Sequence, residues 1–255
     1  MPLYRRGNQA RPAGLREIMT TLKQAQTEFV ESVLQLKPRV AAFDCDGTLW
    51  SGDAGEGFFY WEMERGLVSD EVRRWAVARH ADYKAGNVAE EVMCGEMVTL
   101  HHGLREEDIQ KACDQFFAEQ IAPGIFPEMR ELVRLMRESG CDIWAVSSSS
   151  QWLIESGMRY FGIPRDRVLA AQAAVENGVV VDKLLRVPSG PGKPEALRAN
   201  APSVPECAFG NSIWDHEMLQ MVKHPFVINP TAVLREIAMS QGWKIYQPEV
   251  NHKQR

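Results

Sequence analysis

The sequence predicts an α/β fold: a core of parallel strands covered by helices, with an all-helical segment inserted after the first strand. Three observations carry this. The apolar run Val40–Phe43 lies between Pro38 and Gly47 and is too short for a free-standing helix, so it reads as a strand buried on both faces. From residue 55 to about residue 120 the spacing is helical, and no strand-like alternation interrupts it. Beyond Pro123-Gly124, helices and short apolar strands alternate, which is the grammar of a parallel sheet.

Taken in order, residues 1–14 are basic at Arg5, Arg6 and Arg11, but no apolar run follows of the kind an export signal needs, and a flexible tail is expected. Leu15, Ile18, Met19, Leu22, Ala25, Phe29, Val30, Val33 and Leu34 recur at close to 3.6 residues, predicting an amphipathic helix over 15–36 that ends at Lys37-Pro38. The inserted helices break near Gly66, Gly86 and Gly103, and Val92, Met93, Met97 and Leu100 are expected to form an apolar stripe inside them. After the return hinge at Pro123-Gly124, a helix over 127–139 precedes a buried strand at 142–146. That strand runs into four serines, 147–150, and a further helix over 151–161.

A strand at 168–171 continues the sheet. Asn177-Gly178, flanked by apolar runs at 173–175 and 179–181, predicts a hairpin with a tight turn. The glycine- and proline-rich loop 189–194 opens another helix; strands follow at 207–209 and 226–228, a helix at 231–240 and an edge strand at 243–246. The expected organisation is a tail (1–14), a core (15–53 and 123–255) and a helical cap (54–122).

With 255 residues, 45% hydrophobic and 25% charged, the chain has the composition of a soluble globular protein large enough for a core and a small insertion. Its net charge of −5 argues against a nucleic-acid binder, and no run of 18 apolar residues suggests a membrane span. Five cysteines, at 45, 94, 113, 141 and 207, are scattered and without C-x-x-C spacing, so neither a disulfide framework nor a zinc site is indicated. A cytoplasmic location is expected; the oligomeric state is left open.

The first strand delivers Asp44 and Asp46 to its carboxyl end, where open α/β sheets bind ligands, and Gly47 lets the chain turn there. Two carboxylates so close resist joint ionisation unless a cation joins them, which points to a hard divalent metal and a phosphate site. Asp-x-Asp-Gly is also a turn sequence, so on these residues alone both readings stand. An EF-hand fits poorly, because Leu49 stands where that loop needs glycine.

Four motifs in order narrow the choice: D-C-D-G-T-L from Asp44, Ser147 after a second apolar strand, Lys193 in G-K-P, and G-N-S-I-W-D over Gly210 to Asp215. Together they resemble the haloacid dehalogenase (HAD) superfamily over roughly residues 38–245, and within it the phosphoserine phosphatase-like branch. The resemblance implies a Rossmann-like parallel-sheet core with a helical cap, Asp44 as nucleophile and Asp46 as acid and base. It also implies phosphate binding by Ser147, Ser148 and Lys193, and Mg2+ held by Asp44, Asp46 through its main-chain carbonyl and Asn211, with Asp215 ligating the metal directly or holding a bound water or Lys193. The fourth motif departs from the commoner pattern, since Asn211 stands at its first acidic position.

A carboxylate nucleophile needs no base at neutral pH but does need charge neutralisation against a dianionic phosphate, which a metal, a lysine and a helix N-terminus can supply. On the cap side, Glu56 and Trp50 are expected near the substrate, an acid and an aromatic surface able to hold an amine. The reading implied is a Mg2+-dependent phosphatase of a small phosphomonoester, with phosphoserine-like or other amine-bearing metabolites as candidates. A phosphotransferase or mutase on the same intermediate, and a catalytically silent metabolite-binding protein, are the alternatives.

Overall fold

The computed structural model describes residues 22–249. The expected tail and the first turns of the helix over 15–36 fall outside the described residues. Within them, β1 (Val40–Phe43) is central to a seven-stranded sheet of order β4-β3-β2-β1-β5-β6-β7, where β2 is Asp142–Ser150, β3 Val168–Glu176, β4 Val179–Arg186, β5 Cys207–Gly210, β6 His224–Ile228 and β7 Lys244–Tyr246. All neighbours pair in parallel except β4, which returns antiparallel to β3. Asn177 and Gly178, both at positive φ (52° and 77°), make the tight turn between them.

Every residue of β1 is buried, and its side chains alternate between two cores. Ala41 and Phe43 pack with Phe29, Val30 and Val33 of α1 (Gln24–Leu34) and with Met129, Leu132, Val133 and Met136 of α6 (Pro127–Glu138). Val40 and Ala42 face the other way, toward Leu197 of α8 (Gly192–Asn200), Met218 and Leu219 of α9 (His216–Gln220), and Leu234 and Ala238 of α10 (Ala232–Gln241). A strand covered on both faces must be apolar throughout, which is why β1 lacks the polar alternation of a half-exposed strand.

Between β1 and α6 run four α-helices, α2 (Ala54–Arg65), α3 (Asp70–Lys84), α4 (Glu90–Thr99) and α5 (Glu106–Phe116). Asp53 caps the first of these: its side chain accepts from the Glu56 backbone N–H at 2.8 Å, and Gly66 in the left-handed conformation ends it. The helices share a small core of Phe59, Met63, Ala76, Met93 and Leu100. Val92 does not join it: it is 44% exposed, because its neighbour Met93 takes the inward position and adjacent helical residues cannot share one face. Hydrogen bonds from Gly103 N to Val180 O (2.9 Å) and from Glu106 N to Gly178 O (3.0 Å) tie these helices to the β3–β4 hairpin.

Strand β2 is longer than the sequence predicts. It continues through all four serines to Ser150, with its register against β3 shifting between Val146 and Ser150, and α7 (Gln151–Met158) begins immediately afterwards. The irregularity carries the serines past the end of β1 and toward Asp44 and Asp46. No helix among the described residues is long and apolar enough to cross a membrane.

Candidate active site

The carboxyl ends of β1, β2 and β5 open into one cavity of about 490 Å3, lined by Asp44, Asp46, Ser147, Ser148, Lys193 and Asn211 among others. Asp44 remains part of the sheet, since its N–H donates to the Phe209 carbonyl of β5 at 2.9 Å. Its carboxylate is held at both oxygens: Lys193 Nζ donates to Oδ1 at 2.7 Å and Thr48 Oγ1 donates to Oδ2 at 2.8 Å. Thr48 belongs to the first motif and is fully buried, yet nothing in the sequence singled it out.

Lys193, in the first turn of α8, is 2% exposed. Its ammonium also donates to Asp215 Oδ1 at 2.5 Å and to the Val146 carbonyl at 3.1 Å, so its three donors are filled. A phosphate reaching Lys193 must exchange with one of these partners. Burial works against the charge on Lys193, but Asp215 and Asp44 outweigh it and hold its pKa well above the ordinary lysine value.

Of the places expected for Asp215, on a metal, on a bound water or on Lys193, the structure shows the contact with Lys193. Asp215 is fully buried and does not line the cavity. While Oδ1 takes Lys193, Oδ2 accepts the backbone N–H groups of Asn211 and Ser212, each at 2.9 Å. Its role is to anchor the lysine and to close the loop that carries Asn211.

The Asp46 side chain turns away from Asp44. Its Oδ1 accepts from Trp50 Nε1 at 2.8 Å and from the Ala54 backbone N–H at 2.7 Å, and its Oδ2 accepts from Ser149 Oγ at 2.7 Å. Trp50, expected on the substrate side, is fully buried and packs edge-on against Phe117. It positions Asp46 and presents no face to a ligand, because the apolar ring has more to gain from the core than from the cavity.

The haloacid dehalogenase-like hydrolase family profile matches residues 41–220, which span β1 through the last residue of α9 and contain every residue of this cluster. The chain belongs to the haloacid dehalogenase-like hydrolase family. It is similar to the inhibition of morphological differentiation protein of Streptomyces azureus, with 28% identity over 86% of this chain and 82% of that one. It is also similar to a histidinol-phosphatase of Neisseria meningitidis, with 24% identity over 81% of this chain and 97% of the other. In fold it resembles a probable phosphoserine phosphatase from Vibrio cholerae, with a TM-score of 0.61, 12% identity, and coverage of 88% of this chain and 69% of that one.

The electrostatics of this HAD site follow from burial. Asp44 is pushed up to about 7, by burial first and then by the Asp215 carboxylate, against the pull of Lys193. Burial, followed by the neighbouring charge of Asp53, raises Asp46 to about 6. Cys45 lies buried between them, its thiol pushed far up by burial and then by Asp44, so it packs and is not a nucleophile.

No group of three or more His, Cys, Asp or Glu side chains among the described residues is arranged to hold a metal ion. A cation here would rest on Asp44, the Asp46 main-chain carbonyl and the Asn211 side chain, a mixed oxygen set that suits a hard ion. The charge balance fits one, since two buried carboxylates, Asp44 and Asp215, share a single ammonium, Lys193, and the Asp46 carboxylate is held by Trp50, Ala54 and Ser149 with no cationic partner among the described residues. The packing also brings Asn211 close: a Cβ added at Gly47, where φ is +72°, would lie 1.9 Å from Asn211 Nδ2. Glycine at 47 thus permits both the turn and the approach of the amide.

Glu56, expected at the substrate, lies outside the catalytic cavity. It lines a smaller inner cavity under the inserted helices, where its Oε1 is 2.8 Å from Lys84 Nζ and 3.7 Å from His80 Nε2. The acids that line the catalytic cavity itself from that side are Asp53 and Glu90. Glu90 was not singled out by the sequence, where a glutamate at a helix start reads as ordinary helix-dipole complementation.

Proposed function

We propose that this chain is a magnesium-dependent phosphatase that hydrolyses a small phosphomonoester through an aspartyl-phosphate on Asp44, with the helices of residues 54–122 as the cap over the site. The observation that carries the reading is the pairing of a buried carboxylate with a buried ammonium, Asp44 Oδ1 to Lys193 Nζ at 2.7 Å, beside an independently held second carboxylate. Family membership and relatives that are named phosphatases support the same activity.

In the first step a carboxylate oxygen of Asp44 forms a bond to phosphorus as the ester oxygen leaves. Asp46 gives its proton to that oxygen, so the alcohol departs neutral. In the second step Asp46, now ionised, takes a proton from water as the water attacks the aspartyl-phosphate, which regenerates Asp44 and releases inorganic phosphate. With Oδ1 of Asp46 occupied by two N–H donors, the mobile proton belongs on Oδ2, where the Ser149 hydroxyl can donate to the ionised form or accept from the neutral one. A pKa of about 6 keeps both forms accessible near neutral pH.

Lys193 and the Ser147 side of β2 would meet the phosphate oxygens. Mg2+, held by Asp44, the Asp46 carbonyl and Asn211, would neutralise charge on the transferring phosphoryl group. Incubation with a panel of phosphomonoesters and Mg2+, without any added acceptor alcohol, tests the reading. Release of inorganic phosphate is expected; transfer only when an acceptor is supplied would favour a phosphotransferase.

Two further outcomes follow from the geometry. Asp46→Asn is expected to leave attack on p-nitrophenyl phosphate feasible, since that leaving group needs little protonation, but to slow water attack, so that phosphoenzyme accumulates. Rapid-quench trapping of no more phosphoenzyme than in the unmodified protein would remove Asp46 from the second step. Asn211→Asp restores a charged oxygen and is expected to preserve or tighten Mg2+ binding, read as the Mg2+ concentration that half-saturates the rise in thermal midpoint. Identical titrations in the two proteins would place Asn211 away from the ion.

A further inference from the structure

One side of the catalytic cavity plays no part in the mechanism above. Where β6 ends, the chain turns through Asn229, Pro230 and Thr231, and all three line the cavity. Asn229 has a φ of 45°, one of three non-glycine residues at positive φ among the described residues. Glycine adopts that region at no steric cost, so conformation alone does not call for asparagine there. The amide side chain supplies the rest of the reason.

Asn229 Nδ2 donates to the Gly47 carbonyl at 3.3 Å, across 182 positions of sequence, and its Oδ1 accepts from Gln247 Nε2 at 2.7 Å. Gln247 is itself oriented, since its Oε1 accepts from Arg235 Nη2 at 2.8 Å. Backbone bonds fix the same loop at both ends: the Asn229 N–H donates to the Tyr246 carbonyl and the Thr231 N–H to the Asn211 carbonyl, each at 2.9 Å. One short loop therefore grips both halves of the cation site, the turn that follows Asp46 and the loop that carries Asn211.

Gly47 is where such a grip matters. Its carbonyl lies one peptide beyond that of Asp46 and directly precedes Thr48, whose hydroxyl holds Asp44 Oδ2 at 2.8 Å. A glycine at a φ of 72° is the softest link in that turn, because no side chain restricts its rotation. Since the peptide units on either side are rigid planes, rotation at Gly47 would move the Asp46 carbonyl relative to the Thr48 hydroxyl. An anchored Gly47 carbonyl suppresses that motion.

We propose that Asn229 is a positioning residue for this turn: through the Gly47 carbonyl it holds the Asp46 carbonyl and the Thr48 hydroxyl in the places that the cation and the nucleophile require, and Gln247 orients its amide. This role rests on the phosphatase reading above and adds to it a residue that acts through another and takes no part in bond making.

Three variants test it. Asn229→Gly leaves the backbone free to keep its φ and removes both side-chain bonds, Asn229→Asp keeps the shape but loses the N–H donor, and Gln247→Ala removes only the orienting contact. In Asn229→Gly, kcat for p-nitrophenyl phosphate at saturating Mg2+ is expected to fall by about ten- to a hundredfold, with KM within about twofold. The Mg2+ concentration that half-saturates the rise in thermal midpoint should increase by about threefold or more, while the metal-free midpoint falls by no more than about 4 °C. Asn229→Asp should lose kcat to a similar extent, since shape without the donor does not hold the carbonyl. Gln247→Ala should lower kcat by about threefold, and adding it to Asn229→Gly should cost nothing further, because the two act through one contact.

A kcat within about twofold of the unmodified protein, or an unmoved Mg2+ titration, in a folded Asn229→Gly would overturn the proposal. So would a rise in KM with kcat unchanged, which would make Asn229 a ligand contact, or an Asn229→Asp variant as active as the unmodified protein. Gln247 is exposed, so Gln247→Ala reads the contact even if the Asn229 variants fold poorly; an unchanged kcat there, or additive losses in the double variant, would equally overturn it. If the unmodified protein with Mg2+ releases no phosphate from p-nitrophenyl phosphate, the phosphatase reading itself fails and this role with it; activity that survives all three variants removes the role alone.

Discussion

Asp44→Asn is expected to abolish turnover on every phosphomonoester while leaving the fold intact. The amide is isosteric and keeps an oxygen acceptor for Lys193, and the Thr48 hydroxyl can reverse its role to accept from the new amide group. The substitution also removes a carboxylate whose ionisation is opposed by burial and by Asp215, so the thermal midpoint should stay level or rise. An amide oxygen is a poor nucleophile toward phosphorus, and losing the covalent route should cost at least about a thousandfold in kcat, roughly 4 kcal/mol on the barrier. Activity within about tenfold of the unmodified protein, measured alongside a normal melting curve, would sink the aspartyl-phosphate mechanism.

Lys193→Met should produce the largest loss of stability. The side chain is 2% exposed and its ammonium stands between two buried carboxylates, so an apolar replacement of similar length leaves Asp44 and Asp215 facing one another without a counter-charge. Removing one partner of a buried pair typically costs about 3–5 kcal/mol. At about 2–4 °C per kcal/mol for a protein of this size, the midpoint should fall by roughly 6–20 °C.

The pH dependence of that loss can be given a sign. The Asp44 carboxyl titrates near 7 in the folded protein against an ordinary value of 3.8, so the folded state holds the extra proton and stability declines as pH rises between those values. Without Lys193 the folded value moves higher, the decline extends further, and the deficit of the variant should be greater at pH 8 than at pH 5. The lysine's own folded pKa lies above its unfolded value of 10.5, so its contribution is fully present below that and does not vary across this window. Calorimetry in metal-free buffer at the two pH values reads the difference. A variant that melts within about 2 °C of the unmodified protein at pH 8 would show that the ammonium does not balance these carboxylates.

Much of this protein was determined by local sequence. A four-residue apolar strand between proline and glycine, with no polar alternation, could be buried only at the centre of a covered sheet, and β1 is found there. The hairpin at Asn177-Gly178 was legible because these residues tolerate the positive φ that such a turn demands. Asp44, Asp46, Ser147 and Lys193 were legible because each stands at a strand end or a helix start, where a parallel sheet exposes backbone and side chains to ligand.

What each of those side chains touches was settled only by packing. Ser149 reaches Asp46 across 103 residues of sequence because β2 runs on through an irregular register beside β1, and a run of four serines does not say which one will do so. Trp50 and Glu56 lie close to the nucleophile in sequence, yet the core claimed the indole and Lys84 claimed the carboxylate. The family resemblance leaves Asp215 to a metal, a bound water or Lys193; the fold turns its carboxylate onto Lys193 and onto the Asn211 and Ser212 N–H groups. Glu90 lies 46 positions beyond Asp44 and faces the same cavity because the inserted helices fold back over the sheet. Backbone periodicity and turn chemistry are properties of neighbouring residues and can be read along the chain; the partner of a buried charge is chosen by whichever remote segment comes to lie beside it, and that is a property of the fold.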